Sequence, residues 1–166
     1  MFSEFSNRFE NVLVTGGYGF IGSCLIRNLL LKTKCKICNI DKINYASNLE
    51  SISSIFKDNQ RIDNKRYYSE KIDLNENKKL DDIFQRFKPD LVFHLAAETH
   101  VDRSITNPKV FIDNNIKATF NLLDSAKNYW SNKINKNRDS FLFIHISTDE
   151  VYGSLDKEGF FNEDSP

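Results

Sequence analysis

Short apolar runs alternate with amphipathic segments along most of this chain. Strand-like runs occupy 11–16, 35–41, 65–73, 90–96 and 140–147. Helical periodicity marks 20–32, 48–58, 76–87 and 108–130. In the first of these helices, one face is predicted to carry Ile21, Leu25, Ile26, Leu29 and Leu30. The repetition of strand and helix predicts an α/β fold, a doubly wound parallel sheet in the order 3-2-1-4-5 with right-handed crossovers.

The strands are nearly continuous apolar runs, which is typical of strands buried on both faces. Segment 131–139 is a polar connector, and the residues after Gly153 are polar and indicate the start of a loop. With 166 residues, the chain is long enough for one domain with a full core.

Charge and hydropathy narrow the classes of partner. The chain has 23 basic and 23 acidic residues, so no electrostatic footprint indicates nucleic acid or an anionic membrane surface. Glu4, Arg8 and Glu10 interrupt the stretch where a signal peptide would need an apolar run. No run approaches the ~20 apolar residues of a membrane span. We therefore expect a cytoplasmic protein with a small-molecule partner.

Cys24, Cys35 and Cys38 include a C-x-x-C spacing that could indicate a redox or metal pair. Residues three apart on a strand face opposite sides, however, so we predict structural roles for all three cysteines. His94, His100 and His145 have no metal-like spacing. No metal site is predicted.

A glycine-rich turn, "VTGGYGFIG", places Gly16, Gly19 and Gly22 between the first strand and the first helix. Glycines in this context permit a tight turn and a close backbone approach to a pyrophosphate at the helix N-terminus. Asp41 ends the second strand, where an acid typically binds the adenosine ribose. Its charge would repel a 2′-phosphate and favour NAD over NADP, although Lys42 could soften that preference. The alternative is that Asp41 only forms a turn.

Two adjacent carboxylates, Asp149 and Glu150, follow the fifth strand in "STDEVYG". Carboxyl ends of parallel strands are where open α/β sheets bind ligands. Burial and mutual repulsion can separate the pKa values of two such groups, as acid–base chemistry requires. Without further information, such a pair is more often a solvated turn.

The motifs "TGGYGFIG", "DKINYASNLESI", "HLAAETHVDRSI" and "STDEVYG" together resemble the dTDP-glucose 4,6-dehydratase family of the extended short-chain dehydrogenase/reductase superfamily. The resemblance covers Asn11 to Pro166. It implies NAD as cofactor, with Phe20 and Ile21 at the pyrophosphate turn. The further contacts that it implies are with the adenosine ribose (Asp41, Lys42, Ile43, Asn44), with the adenine (Asp73, Leu74) and with the cofactor after the fourth strand (Leu95, Ala96, Ala97, Glu98, Thr99).

Two positions depart from the family pattern. Asn114, a further cofactor contact, stands where the family often has threonine, and Thr99, which also faces the sugar, replaces the more usual serine. For the reaction, the resemblance implies oxidation of dTDP-glucose at its 4-hydroxyl by NAD, loss of water, and return of the hydride to give dTDP-4-keto-6-deoxyglucose. Glu150 would be the base, Asp149 the acid, and Thr148 a hydrogen-bond partner of the 4-oxygen.

The superfamily carries a Tyr-x-x-x-Lys pair on a helix beyond this segment. We expect residues 1–166 to form an incomplete NAD-binding Rossmann domain without the last strands or the C-terminal substrate domain, inactive alone. A separate chain could supply the C-terminal half, and full-length members are expected to be homodimers. The alternatives are a non-functional remnant, a free-standing NAD-binding or interaction module, and another nucleotide-sugar dehydratase or epimerase.

Overall fold

The computed structural model describes residues 2–59, 62–132, 141–155 and 159–165. Its centre is a five-stranded, entirely parallel sheet in the order β3-β2-β1-β4-β5, which confirms the predicted topology. The strands are β1 (Asn11–Thr15), β2 (Lys36–Asp41), β3 (Tyr67–Lys71), β4 (Leu91–His94) and β5 (Leu142–His145). The strand order reverses between β1 and β4, and this switch point opens a crevice at the carboxyl edge of the sheet.

Helices follow each of the first four strands. The helices are α1 (Phe2–Arg8), α2 (Phe20–Lys32), α3 (Glu50–Asp58), α4 (Asn77–Phe87), α5 (Val101–Thr106), α6 (Pro108–Phe111) and α7 (Ala118–Ser131). The sequence pattern did not predict α1 or α5. The predicted long helix from Pro108 is interrupted by a π-helical segment, Ile112–Lys117. Most of the predicted connector 131–139 lies outside the described residues.

The core has two layers, one on each face of the sheet. Alternation along β1 sends Val12 and Val14 to the layer beneath α2 and α3, and Leu13 to the layer beneath α4 and α7. Strands β1, β2 and β4 are buried on both faces, as predicted, but β3 and β5 are partly exposed. The reason is their position at the sheet edges, where each has a strand neighbour on one side only.

Two of the three cysteines are buried on opposite faces of the sheet, as strand geometry requires, and the third is exposed. Cys35 and Cys38 are buried in opposite core layers and are unpaired thiols, which is consistent with the structural roles predicted for them. Burial raises the pKa of Cys38 to about 12. Cys24 is exposed on α2 and fills no core position. Ile21 was predicted on the apolar face of this helix, but it is 61% exposed because it lies in the first turn, beyond the packed layer.

Arg66 fixes the connection between α2 and β2. Its guanidinium donates hydrogen bonds to the backbone carbonyls of Leu30, Thr33 and Cys35, at 3.0, 3.2 and 2.9 Å. These carbonyls lie at and beyond the end of α2, where helix geometry leaves acceptors without partners. One side chain from the segment before β3 therefore ties down the C-terminus of α2. No helix in the described ranges is long and apolar enough to cross a membrane.

Candidate functional site

The turn between β1 and α2 requires glycine at two positions for different reasons. Gly16 has φ +71°, and a Cβ there would lie 2.7 Å from the Cα of Ala96. At Gly22, a Cβ would lie 2.3 Å from the carbonyl oxygen of Gly16. Helix α2 has no side-chain N-cap and no acidic residue in its first turn. Its first N–H groups thus remain available to an anion, as in phosphate-binding turns.

Two side chains of β2, those of Asn39 and Asp41, accept hydrogen bonds from backbone N–H groups of this turn. The Asn39 side-chain oxygen accepts a hydrogen bond from the Gly17 N–H at 3.0 Å. Asp41 Oδ2 accepts one from the Tyr18 N–H at 3.0 Å, and Asp41 Oδ1 accepts from the Ile43 N–H at 2.8 Å. Asp41 is therefore a turn former, and it still presents its buried carboxylate at the strand end. The two interpretations of this residue are compatible.

A cleft lies along the carboxyl ends of β1 to β4. Many of the predicted contacts line it together: Gly16, Gly19, Asp41, Lys42, Asn44, Asp73, Leu74, Leu95, Ala96, Ala97, Glu98, Thr99 and Asn114. Phe20, Ile21 and Gly22 do not line it but begin α2 beside it, and Phe20 and Ile21 are exposed. Ile43 borders an adjacent depression with Lys71 and Glu76.

Sequence reasoning missed several residues that line the same cleft: Ile40, Tyr45, Ala46, Ser47, Ile72, His100 and Ala118. Some of these residues could have been found from the sequence, because Tyr45 to Ser47 follow the ribose-binding stretch and His100 follows Thr99 directly. Arg103 stacks on the ring of Tyr45, one of these residues, with its guanidinium carbon 3.7 Å from the ring centre.

Three side chains of the cleft bond the Glu98 carboxylate. Its side chain is 7% exposed, and Oε1 lies 3.3 Å from the Lys42 ammonium. Oε1 also accepts a hydrogen bond from the Asn44 amide at 3.1 Å, and Oε2 accepts one from the Tyr45 hydroxyl at 3.1 Å. The Asn115 side chain, in the π-helical segment, bonds both the N–H and the C=O of Glu98 at 2.8 Å. π-helical turns occur frequently at functional sites.

The predicted acid–base pair lies outside this cleft lining. Asp149 and Glu150 begin a 3₁₀ turn after β5, and Thr148 caps it by accepting a hydrogen bond from the Glu150 N–H at 3.3 Å. All three side chains are exposed. The carboxyl end of β5 adjoins that of β4, because the Ile146 N–H donates to the His94 carbonyl at 3.0 Å. The pair shares the cleft's edge of the sheet, but the described residues do not bury it.

His94 is buried in the core and bonded by two hydroxyl groups. It is buried between β1 and α7, with its Nδ1 2.7 Å from the Thr15 hydroxyl and its Nε2 2.9 Å from the Thr119 hydroxyl. Burial, followed by the nearby His145, lowers the pKa of His94 to about 4. Among the described residues, no group of His, Cys, Asp or Glu side chains could hold a metal ion.

Tyr67 and Lys71 have the Tyr-x-x-x-Lys spacing, but they lie on β3 rather than on a helix. Four residues along a strand span roughly 13 Å, too far for the lysine to act on the tyrosine. Burial raises the pKa of Tyr67, and its hydroxyl accepts a hydrogen bond from Asn39 at 3.1 Å. This pair is therefore unsuited to base catalysis.

A family model described as GDP-mannose 4,6 dehydratase matches residues 13–166. The chain belongs to this family. Two curated relatives named dTDP-glucose 4,6-dehydratase illustrate the match. The Neisseria gonorrhoeae protein is 46% identical over 158 residues, which is 95% of this chain and 44% of the relative. The Salmonella typhimurium protein is 48% identical over 144 residues, which is 87% of this chain and 38% of the relative.

Solved structures of dehydratases and epimerases share the fold. A dTDP-glucose 4,6-dehydratase from Bacillus anthracis, in complex with NAD, is 32% identical with a TM-score of 0.75, over 95% of this chain and 43% of that one. A UDP-Glc/GlcNAc 4-epimerase from Campylobacter jejuni is 29% identical with a TM-score of 0.76, over 95% and 42%. The chain thus has the NAD-binding Rossmann fold of this family, and spans less than half the length of these relatives.

Proposed function

We propose that this chain is the dinucleotide-binding part of a dTDP-glucose 4,6-dehydratase, and that its cleft binds NAD. The observation that carries the proposal is the convergence of the glycine turn, Asp41 and the segment after β4 on one cleft. The family membership and the relatives' names support the same assignment. Epimerase chemistry is less favoured, because the curated relatives at 46% and 48% identity are both named dehydratases.

The residues present fit this cofactor. Side chains at Gly16 and Gly22 would fill the space of the turn, which leaves backbone for a pyrophosphate. Lys42 to Asn44 would hold the adenosine ribose together with Asp41, and Asp73 and Leu74 would meet the adenine. The backbone of the segment Leu95 to Thr99, together with Asn114, would line the remainder of the cofactor. When bound, NAD supplies a hydride acceptor for oxidation of the sugar alcohol.

NAD is favoured over NADP because of how charge is distributed near Asp41. The Lys42 ammonium is paired with Glu98 at 3.3 Å, so it does not offset the Asp41 carboxylate against an incoming 2′-phosphate. In calorimetric titration, we expect NAD to bind roughly tenfold or more tightly than NADP. Asp41→Asn should narrow that ratio, whereas the exposed control Asp58→Asn should not. Equal affinities for the unmutated chain would contradict the NAD assignment.

In the proposed elimination, the Glu150 carboxylate takes the proton from carbon 5 of the 4-keto sugar. Asp149 protonates the departing 6-hydroxyl, and Thr148 hydrogen-bonds the 4-oxygen. General acid and base catalysis by positioned groups each contribute ~10²–10⁴-fold. The support is their position at the carboxyl edge, next to the strand that leads into the cleft.

We expect the 166-residue chain alone to bind NAD without converting dTDP-glucose. The reason is that Asp149 and Glu150 are exposed, and that the superfamily's tyrosine and lysine are expected on a helix after β5. The assay is product formation by the purified chain, and robust turnover would refute this part of the proposal. Mixing with the C-terminal half of the Neisseria relative should restore turnover, and Glu150→Gln should then block product while NADH still accumulates.

A second candidate is an NAD-binding module in which Asp149 and Glu150 have no catalytic role. Such a module would bind NAD with the same preference but gain no activity from the added half. A Glu150→Gln variant that behaves like the unmutated chain in the mixture would support the module.

A further inference from the structure

We propose that Glu98 is a positioning residue that sets the dinucleotide preference of the cleft, by anchoring the loop between β2 and α3 and by sequestering the Lys42 ammonium. This inference rests on the proposed binding of NAD. It reassigns Glu98, which the resemblance placed in direct contact with the cofactor, to an action through other residues.

The first step is the number of donors on the Glu98 carboxylate. Lys42, Asn44 and Tyr45 all bond it, and all three belong to residues 42–49, here called the β2–α3 loop. A carboxylate has about four acceptor positions, so little capacity remains for a ligand. The side chain of Glu98 is therefore committed to the loop.

The second step is that Glu98 is itself held firmly. Asn115 bonds both backbone polar groups of Glu98, which ties residue 98 to the helical segment before α7. Arg103, in α5, stacks on the Tyr45 ring. The β2–α3 loop is consequently anchored to two segments that follow β4.

The third step concerns charge. Asp41 accepts hydrogen bonds from two backbone N–H groups and the Ser47 hydroxyl, and no cationic side chain among the described residues forms an ion pair with it. Glu98 has the Lys42 ammonium as its counterion. Glu98 thus neutralises the Lys42 ammonium, which lines the cleft beside Asp41, and leaves the Asp41 charge to act on a 2′-phosphate. Without Glu98, Lys42 becomes available to bind that phosphate.

The two roles predict different effects for two substitutions. Glu98→Gln retains one acceptor for the loop but no charge for Lys42. We expect its NAD affinity to stay within about threefold, and its NADP affinity to rise roughly tenfold. Glu98→Ala removes the anchor as well. If the competent loop conformation falls to about one tenth of the population, NAD affinity should fall about tenfold.

The experiment titrates both dinucleotides into the unmutated chain, Glu98→Gln, Glu98→Ala, and the double variant Glu98→Gln with Lys42→Met. The double variant should regain the original NAD/NADP ratio, because the released ammonium is gone. Glu50→Gln is the matched control, since it removes the same charge from the exposed start of α3. An unchanged ratio in Glu98→Gln, or a changed ratio that the double variant retains, would overturn the specificity role.

Hydrogen exchange without ligand tests the anchor separately. In Glu98→Ala, amides of residues 42–49 should exchange at least tenfold faster, while those of β1 and the glycine turn stay unchanged. If exchange instead accelerates equally across the chain, Glu98→Ala destabilises the whole fold, and the anchoring role of Glu98 is overturned. Tyr45→Phe, which removes one exposed contact with little risk to folding, should accelerate the same amides less. If the unmutated chain binds neither dinucleotide, the proposed function fails, and the exchange pattern alone decides whether Glu98 holds the loop.

Discussion

His94 is expected to make the stability of this protein depend on pH in a defined window. Its pKa is about 4 in the folded chain, against an ordinary value of 6.5. Between these values the unfolded chain binds the proton more readily than the folded one. The stabilisation is therefore complete above pH 6.5 and is lost as the pH falls towards 4.

The size of the effect follows from the two pKa values. At ~1.4 kcal/mol per pKa unit, the difference corresponds to a loss of about 3 kcal/mol in the free energy of unfolding at the acidic end. Burial is the main cause, because a charged imidazole there would lie between the Thr15 and Thr119 hydroxyls without solvent. The His145 ring, centred 5.0 Å away, adds repulsion when both are charged.

Urea unfolding between about pH 7.5 and 4.5 measures this dependence. His94→Gln should be less stable than the unmutated chain at the neutral end, and should lose less stability on acidification. His145→Gln should reduce the slope slightly, and the exposed control His100→Gln should leave it unchanged. If His94→Gln and the unmutated chain lose stability in parallel below pH 6.5, the assignment of the acid sensitivity to His94 is wrong.

Four further results are expected. Gly16→Ala should lower the free energy of unfolding by at least about 3 kcal/mol, through φ strain and overlap with the backbone of Leu95 and Ala96 after β4. Gly19→Ala should fold normally in thermal melts but bind NAD poorly. Arg66→Met should cost about 2–3 kcal/mol in urea unfolding because three carbonyls lose a charged donor. A thiol reagent should label Cys24 rapidly and Cys38 only on unfolding, because Cys38 is buried and has a pKa of about 12.

The strand order and the glycine turn were predictable because each depends on a local pattern with one physical meaning. Buried parallel strands require continuous apolar runs, and the tight turn before α2 requires glycine where φ is positive. Strands β4 and β5 were predicted to be longer than they are, because apolar residues continue in the sequence after the hydrogen bonds between neighbouring strands stop. Helix α5 was not predicted from the sequence. None of its residues is buried, so its sequence shows no apolar helix face.

The side-chain network of the cleft was not predictable in the same way. Asn39 and Glu98 act on loops 22 and 54 residues away from them in sequence, and such pairings depend on how the β-α units pack. The π-helical segment also left no trace, because its residues Ile112–Lys117 continue the helical pattern on both sides. Only the resemblance indicated that Glu98 and Asn114 belong to one site.

The two parts of the candidate site differ in what holds them. Asp41 and Glu98 are buried and bonded to distant segments, so the adenosine side of the cleft is preorganised without further contacts. Among the described residues, Asp149 and Glu150 are exposed, and the hydrogen bonds that hold their turn come from the turn itself. Acid–base catalysis needs positioned groups in an environment that excludes water. Covering this turn with the relatives' C-terminal half should therefore slow hydrogen exchange of the amides of residues 149–153 at least tenfold, while NAD affinity changes much less. Unchanged exchange at these amides in an active mixture would show that covering the turn is not what the added half contributes.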